Sequence, residues 1–272
     1  MRRPEVVALA LLVALAGAGC SRVAFVKTDP SRKDFESTNE PVVIHETAES
    51  KNRLAGRNAL VLSEDRLRSG NLPEAEKYAK QALKADPRSA DAYTMLAVIA
   101  ASQGQDAVAG THYQKAAELA PDDGRVLNNY GAWLCTNGRL QESLGWFDRA
   151  LQAPGYATPA AALANAGRCA LDAGDTARAD ANLRQAIVLA PENPVALGAL
   201  ARLQFRSGNY FEARAFSERR LAAAPADAEA LILASQIEDK LGDSAAAARY
   251  VRRLREEFPG AAQGNAGGSK SQ

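Results

Sequence analysis

The sequence predicts an all-α fold built from six copies of one helix pair, and two regularities in its 272 residues support that prediction. Glycines recur at intervals of 34, 34, 36, 34 and 34 residues, and prolines follow five of the six glycines at a constant distance. Alanine makes up about a fifth of the chain and aromatic residues only 6%, which favours closely packed helices over sheet. The recurring glycines are Gly70, Gly104, Gly138, Gly174, Gly208 and Gly242.

Each repeated residue has a physical reason within a helix pair. Units counted from 14 residues before each glycine begin at 56, 90, 124, 160, 194 and 228, and their positions 8 and 20 are always Ala, Gly or Ser. Small residues there let two helices approach closely, while the glycine ends the first helix and the proline ends the second. The residues expected to cap second helices are Asn71, Asp175, Asn209 and Asp243.

This pattern resembles the tetratricopeptide repeat over residues 56–259. The resemblance implies a right-handed superhelix of antiparallel helix pairs, with a concave face lined mainly by the first helices. We place the repeat domain at 48–259 and expect the Gly- and Ser-rich tail, 260–272, to be disordered.

The N-terminus is similar to a bacterial lipoprotein signal. Arg2 and Arg3 precede an apolar run of 11 residues, 6–16, which is shorter than the roughly 20 residues that span a bilayer. Small residues then lead into Cys20, the residue that would carry the lipid after removal of residues 1–19. The alternative is an ordinary signal cut nearby, with Cys20 unmodified.

The residue after Cys20 bears on the membrane in which such a lipoprotein would reside. Ser21 follows it, and not the Asp that tends to retain lipoproteins in the inner membrane of Gram-negative bacteria. The resemblance therefore implies the periplasmic face of the outer membrane. Residues 20–47 are polar, contain Pro30 and Pro41, and are expected to form a flexible tether between the lipid and the repeats.

Composition and motifs argue against catalysis, metal binding and nucleic-acid binding. The 33 basic and 32 acidic residues give a net charge of +1, so no strongly basic surface is expected. Only two histidines and three cysteines occur, without a CxxC pair, and common hydrolase, zinc-protease and phosphate-binding motifs are missing. We expect no enzyme, no catalytic residues, no cofactor and no small-molecule substrate.

Cys135 and Cys169 lie on the first helices of the third and fourth units, which touch in a repeat of this kind. In an oxidising compartment these two cysteines could form a disulfide, leaving Cys20 for the lipid. The alternative is a pair of buried free thiols acting as small apolar residues.

A more specific resemblance lies in the third and fourth units. The segments VLNNYGAWLCTNGRLQESLGWFDRAL (126–151), PGYATP (154–159) and NAGRCALDAGD (165–175) are similar to the PilF/PilW group of type IV pilus biogenesis lipoproteins. Members of this group are pilotins, which the pilus secretin needs to reach the outer membrane and assemble there. The resemblance implies a non-catalytic scaffold whose partner is the secretin.

Two other functions stay open at the sequence level. One is a repeat lipoprotein that regulates a periplasmic cell-wall synthase, and the other is a lipoprotein of the outer-membrane β-barrel insertion machinery. The second alternative would be expected to have five repeats.

Candidate partner-binding residues are those at the concave positions 2, 5, 9, 12 and 13 of the units. Phe205 between two arginines would offer a peptide an apolar contact with polar neighbours. The candidates are Leu60 and Leu67 in the first unit, Arg125 and Asn128 in the third, and Arg202, Phe205 and Arg206 in the fifth.

Overall fold

A computed structural model describes residues 47–261 of the chain. Between residues 48 and 257 it contains twelve α-helices, which pack as six consecutive pairs and confirm the predicted fold class. The helices are α1 Ala48–Arg68, α2 Leu72–Ala85, α3 Ala90–Ser102, α4 Asp106–Leu119, α5 Gly124–Thr136, α6 Leu140–Gln152, α7 Pro159–Asp172, α8 Thr176–Leu189, α9 Pro194–Arg206, α10 Tyr210–Ala223, α11 Ala228–Leu241 and α12 Ser244–Glu257.

Several predictions concern residues outside this range. The signal at 1–19, Cys20, the tether up to residue 46 and the tail from residue 262 lie outside the described residues. The first two residues of the predicted disordered tail, Gly260 and Ala261, are described and have helical backbone. None of the helices within 47–261 combines the length and apolar character that a bilayer crossing would require.

The turn between the two helices of each pair follows the predicted chemistry. All six repeat glycines have φ between 72° and 82°, the left-handed region that other residues rarely adopt. Second helices end two residues before each of the five regularly spaced prolines, and α6 ends two residues before Pro154. Glycine and proline therefore set the helix boundaries, as the spacing predicted.

Three of the four predicted helix caps are present. The side chains of Asn71, Asp175 and Asp243 accept hydrogen bonds from backbone N–H groups in the first turn of α2, α8 and α12, at 3.3, 3.0 and 2.8 Å. Asn209 differs, because its amide donates to Oε1 of Gln204 at 2.8 Å and its side chain does not cap α10. The prediction for Asn209 was wrong: its side chain is held by this hydrogen bond to α9, and its oxygen accepts no hydrogen bond from the first turn of α10.

The first helix is longer than its repeat unit. α1 begins at Ala48, eight residues before the predicted unit start at 56, and Thr47 accepts a hydrogen bond from the Ser50 N–H at 3.1 Å. No glycine or proline occurs in residues 48–55 to interrupt the helix, so the α1 helix extends beyond the repeat.

The small residues at positions 8 and 20 are all buried, which confirms the predicted close approach of the helices. A Cβ at Gly131 would lie 2.9 Å from the Phe147 ring, and a Cβ at Gly167 would lie 2.6 Å from the Leu183 side chain. Any larger residue at position 8 would therefore displace the buried side chain of the second helix in the third and fourth units.

A disulfide between Cys135 and Cys169 joins α5 to α7 in the structure, with the two Cα atoms 5.9 Å apart. The Ser143 hydroxyl of α6 lies 2.9 Å from Sγ of Cys169. The bond crosses from the third unit to the fourth, so it links two neighbouring first helices covalently.

Candidate functional site

A concave site in residues 47–261 is formed by a groove between α9 and α11, which we call the α9–α11 groove. Its volume is about 530 Å³, and it is lined by apolar side chains of both helices together with four arginines. The apolar side chains include Val195, Phe205, Ile232 and Leu233. This volume falls within the ~300–1,000 Å³ typical of binding clefts in proteins.

The groove exists because two positions of the fifth unit lack volume. Position 24, occupied by the buried side chains of Tyr113, Phe147 and Leu183 in the second, third and fourth units, is Ser217 in the fifth. Position 5 is Gly198, where an added Cβ would meet only the Arg220 side chain, at 3.8 Å. Ser217 and Gly198 both line the groove, so the missing side chains account for the open space.

Arginines surround this apolar floor. Arg168 and Arg202 share the carboxylate of Asp172, at 3.7 and 3.6 Å, and Arg202 also lies 3.4 Å from Glu229. Arg220, whose side chain is only 13% exposed, is paired with Asp227 at 2.6 Å. Arg168, Arg202 and Arg220 are therefore balanced by three carboxylates, those of Asp172, Glu229 and Asp227.

Arg206 leaves one positive charge in excess at the groove. Its guanidinium donates to the Leu171 carbonyl oxygen at 3.5 Å and forms no ion pair with any residue in the described part of the chain. A carboxylate from another molecule could pair with it without first displacing an internal partner.

The structure brings together the three candidates of the fifth unit. Arg202, Phe205 and Arg206 all line the α9–α11 groove. Phe205 is half-buried, and its ring centroid lies 5.6 Å from that of Tyr210. The ring is thus supported on one side by the protein and open to the groove on the other, as an anchor for a partner would be.

The candidates of the first unit have a larger structural role than the repeat pattern indicated. Leu60 and Leu67 are half-buried and pack against two apolar clusters that α1 forms with α2 and α3. Much of each side chain is therefore used for packing between α1, α2 and the first helix of the second unit.

The candidates of the third unit divide in two. Arg125 is exposed and forms ion pairs with Asp91 at 3.2 Å and Asp123 at 2.8 Å. Asn128 is only 8% exposed, and its Oδ1 accepts a hydrogen bond from Asn165 at 3.1 Å. The assignment of Asn128 to a partner-binding surface was wrong, since its amide joins α5 to α7 inside the protein.

Sequence reasoning missed most residues of the groove, among them Gly198, Ser217, Arg168 and Arg220. Comparing the units position by position would have detected Ser217, because a small residue there interrupts a series of large ones. Arg168 and Arg202 occupy position 9 of consecutive units, which the same comparison would have aligned.

The described residues contain no cluster of three or more His, Cys, Asp or Glu side chains able to hold a metal ion. What the groove offers is an apolar floor and guanidinium donors, an arrangement that recognises a peptide or protein segment.

Comparisons with known proteins agree with this arrangement. Family models described as tetratricopeptide repeat match residues 60–124, 111–158 and 170–237. The type IV pilus assembly protein PilF of Pseudomonas aeruginosa is 28% identical over 194 residues, covering 71% of this chain and 77% of the relative.

Solved structures of the same kind superpose on most of the chain. The crystal structure of PilW, described as a widely conserved type IV pilus biogenesis factor, matches with a TM-score of 0.68 and 29% identity, covering 76% of this chain and 96% of PilW. A structure of Pseudomonas aeruginosa PilF matches with a TM-score of 0.68 and 26% identity, covering 80% of this chain and 99% of that one. The chain belongs to the tetratricopeptide-repeat proteins and is homologous to the PilF and PilW type IV pilus biogenesis proteins.

Proposed function

We propose that this protein is an outer-membrane lipoprotein of type IV pilus biogenesis that binds the pilus secretin and supports its localisation and assembly. The observation that carries the proposal is homology to PilF and PilW along most of the repeat domain, with 96% and 99% of the two solved chains covered. A match of this extent includes the whole repeat array of the relatives and not one repeat in isolation.

The proposed action is non-catalytic. Repeat scaffolds of this kind and pilus biogenesis homologues both indicate protein–protein interaction. The chain would bind secretin subunits through its repeat surface and carry them to the membrane in which its lipid is inserted. Confining the subunits to that surface would raise their local concentration, which favours assembly of a multimer without chemistry.

Lipidation at Cys20 is part of this proposal, with the residues between Cys20 and α1 as the connection to the repeats. Attachment through one cysteine would then place all six units on the periplasmic side.

The variant Cys20→Ala tests the anchor and the partner together. We expect the variant to move from outer-membrane fractions to the soluble periplasmic fraction, and the secretin to lose its outer-membrane multimers. Ser21→Ala, which keeps the cysteine, is the matched control and should behave as wild type.

Membrane fractionation, immunoblotting of the secretin and co-purification with the full-length protein provide the measurements. Retention of Cys20→Ala in the outer membrane would disprove the lipid anchor. Normal secretin multimers in a strain lacking the protein would disprove the secretin role, and specific recovery of a cell-wall synthase would favour the regulatory alternative.

A further inference from the structure

The α9–α11 groove has the shape of a receptor for one large side chain and its neighbours along a peptide. Its floor is formed by Val195, Ile232 and Leu233, with Phe205 at one side. The Val195 side chain is 39% exposed. Exposed apolar groups that line a concavity gain free energy when a partner's apolar side chain excludes water from them.

A polar group lies deep in the same groove. Ser217 is 5% exposed, and its hydroxyl forms no hydrogen bond with any residue in the range 47–261 that the structure describes. The hydroxyl oxygen is accessible from the groove, so it is available to the backbone of a molecule bound there.

Charge selects among possible occupants. Three of the four arginines around the groove, Arg168, Arg202 and Arg220, have carboxylates nearby, those of Asp172, Glu229 and Asp227. Arg206 has no carboxylate partner in the described residues, so the groove carries one positive charge in excess. An acidic segment would supply the missing carboxylate, whereas a basic segment would be repelled.

We propose that the α9–α11 groove binds an acidic peptide segment, with one large apolar side chain of that segment inserted against Phe205 and a neighbouring carboxylate paired with Arg206. The inference rests on the proposed function only for the identity of the partner, a segment of the secretin. The site itself is argued from the geometry of α9, α10 and α11.

Two substitutions with the same chemistry separate binding from folding. Gly198→Leu places a side chain inside the groove, where an added Cβ meets only Arg220 at 3.8 Å, so the helix can accept it. Gly145→Leu is the matched control, because Gly145 is also helical and exposed, and an added Cβ there has no neighbour within 4 Å.

The probe is a phage-displayed library of random 12-residue peptides selected on the full repeat domain. We expect the enriched peptides to combine a Leu, Ile, Met or Phe with nearby Asp or Glu. A synthetic peptide from this set should bind Gly198→Leu at least about tenfold more weakly than wild type, while Gly145→Leu binds as wild type. Arg206→Gln should weaken binding by about threefold to tenfold, with a smaller loss at high salt.

The proposal would be rejected if no peptides were enriched, or if the enriched peptides were basic or purely apolar. Equal binding of the peptide to Gly198→Leu and wild type would also reject it. So would displacement of the peptide when the wild-type domain adsorbs to phosphatidylglycerol vesicles. Melting curves of each variant establish that loss of affinity is measured on folded protein.

Competition distinguishes this inference from the proposed function. If the selected peptide displaces secretin from the protein, both hold. If the peptide binds in the groove while secretin binding is unchanged by Gly198→Leu, the groove still binds an acidic segment and the secretin must contact another surface.

Discussion

The fifth unit differs from the third and fourth at position 24 of the same helix pair. In the third and fourth, Gly131 and Gly167 make room for Phe147 and Leu183, which are completely buried. In the fifth, Ala201 faces Ser217, and the space that a large side chain would fill becomes the α9–α11 groove. A repeat can therefore convert core into binding surface by changing the volume at one position.

The largest expected effect lies in the filled units. Phe147→Ala should lower the free energy of unfolding by about 3 to 5 kcal/mol, because it empties a fully buried site. Ser217→Ala, at the equivalent position, should cost less than about 1 kcal/mol, since the space beside it is already open. Urea unfolding of both variants measures the contrast, and equal losses would contradict it.

The disulfide stabilises the third and fourth units, in which position 24 is a large buried side chain. Reduction of Cys135–Cys169, which lie 34 residues apart, should lower the free energy of unfolding by about 3 to 4 kcal/mol in the chain-entropy model. Non-reducing peptide mapping of protein isolated from cells should find the two cysteines linked. Alkylation of both as free thiols in freshly isolated oxidised protein would show that the bond does not form in the cell.

The pH dependence of stability tests whether position 24 of the second unit, Tyr113, is buried. Burial raises the pKa of Tyr113 to about 12, from an ordinary value of 10.0, so the folded state favours the protonated phenol. Stability from this residue is present below pH 10 and is lost as pH rises towards 12, by about 2 to 3 kcal/mol in all. Urea unfolding at a series of alkaline pH values measures the loss.

Tyr113→Phe is the control for that titration. It removes the ionisable group and keeps the ring, so this share of the alkaline destabilisation should disappear. A Tyr113→Phe variant with an unchanged pH profile would mean that the phenol ionises equally easily in the folded and unfolded states.

A smaller effect is expected in the fifth unit, which contains the groove. Phe205→Ala should weaken partner binding by about 1 to 2 kcal/mol with little change in melting temperature, because the ring is half-buried and borders the groove. Parallel melting and affinity measurements on one variant test this. A folding loss of about 3 to 5 kcal/mol would instead identify Phe205 as a wedge between units.

How much of this could be predicted from the sequence depends on the range of the interaction. The glycine turns, the proline stops and the buried small residues depend on backbone geometry within one unit, and a 34-residue period reports them directly. Asn128 was mispredicted because Asn165 of the next unit donates a hydrogen bond to its amide oxygen, a contact between units that the repeat pattern does not report. Asn209 was mispredicted because its side chain binds Gln204 of α9 and does not cap α10.

The groove itself was only half predictable. Phe205 and its neighbouring arginines follow from the concave register, but the cavity arises from volume missing at Gly198 and Ser217 on two different helices. A missing side chain has no pattern of its own in the sequence, and its effect appears only when α9, α10 and α11 are packed together.

The position of the disulfide has a consequence for local unfolding of the repeat array. Each unit contacts chiefly its neighbours, so local unfolding should begin at the ends and travel inward unit by unit. The covalent link between α5 and α7 stands in the middle of that path and would halt fraying that arrives from the C-terminal side. The α9–α11 groove lies on the unprotected side, so amide hydrogen exchange there should slow when a partner binds, while exchange in α5 to α7 stays the same.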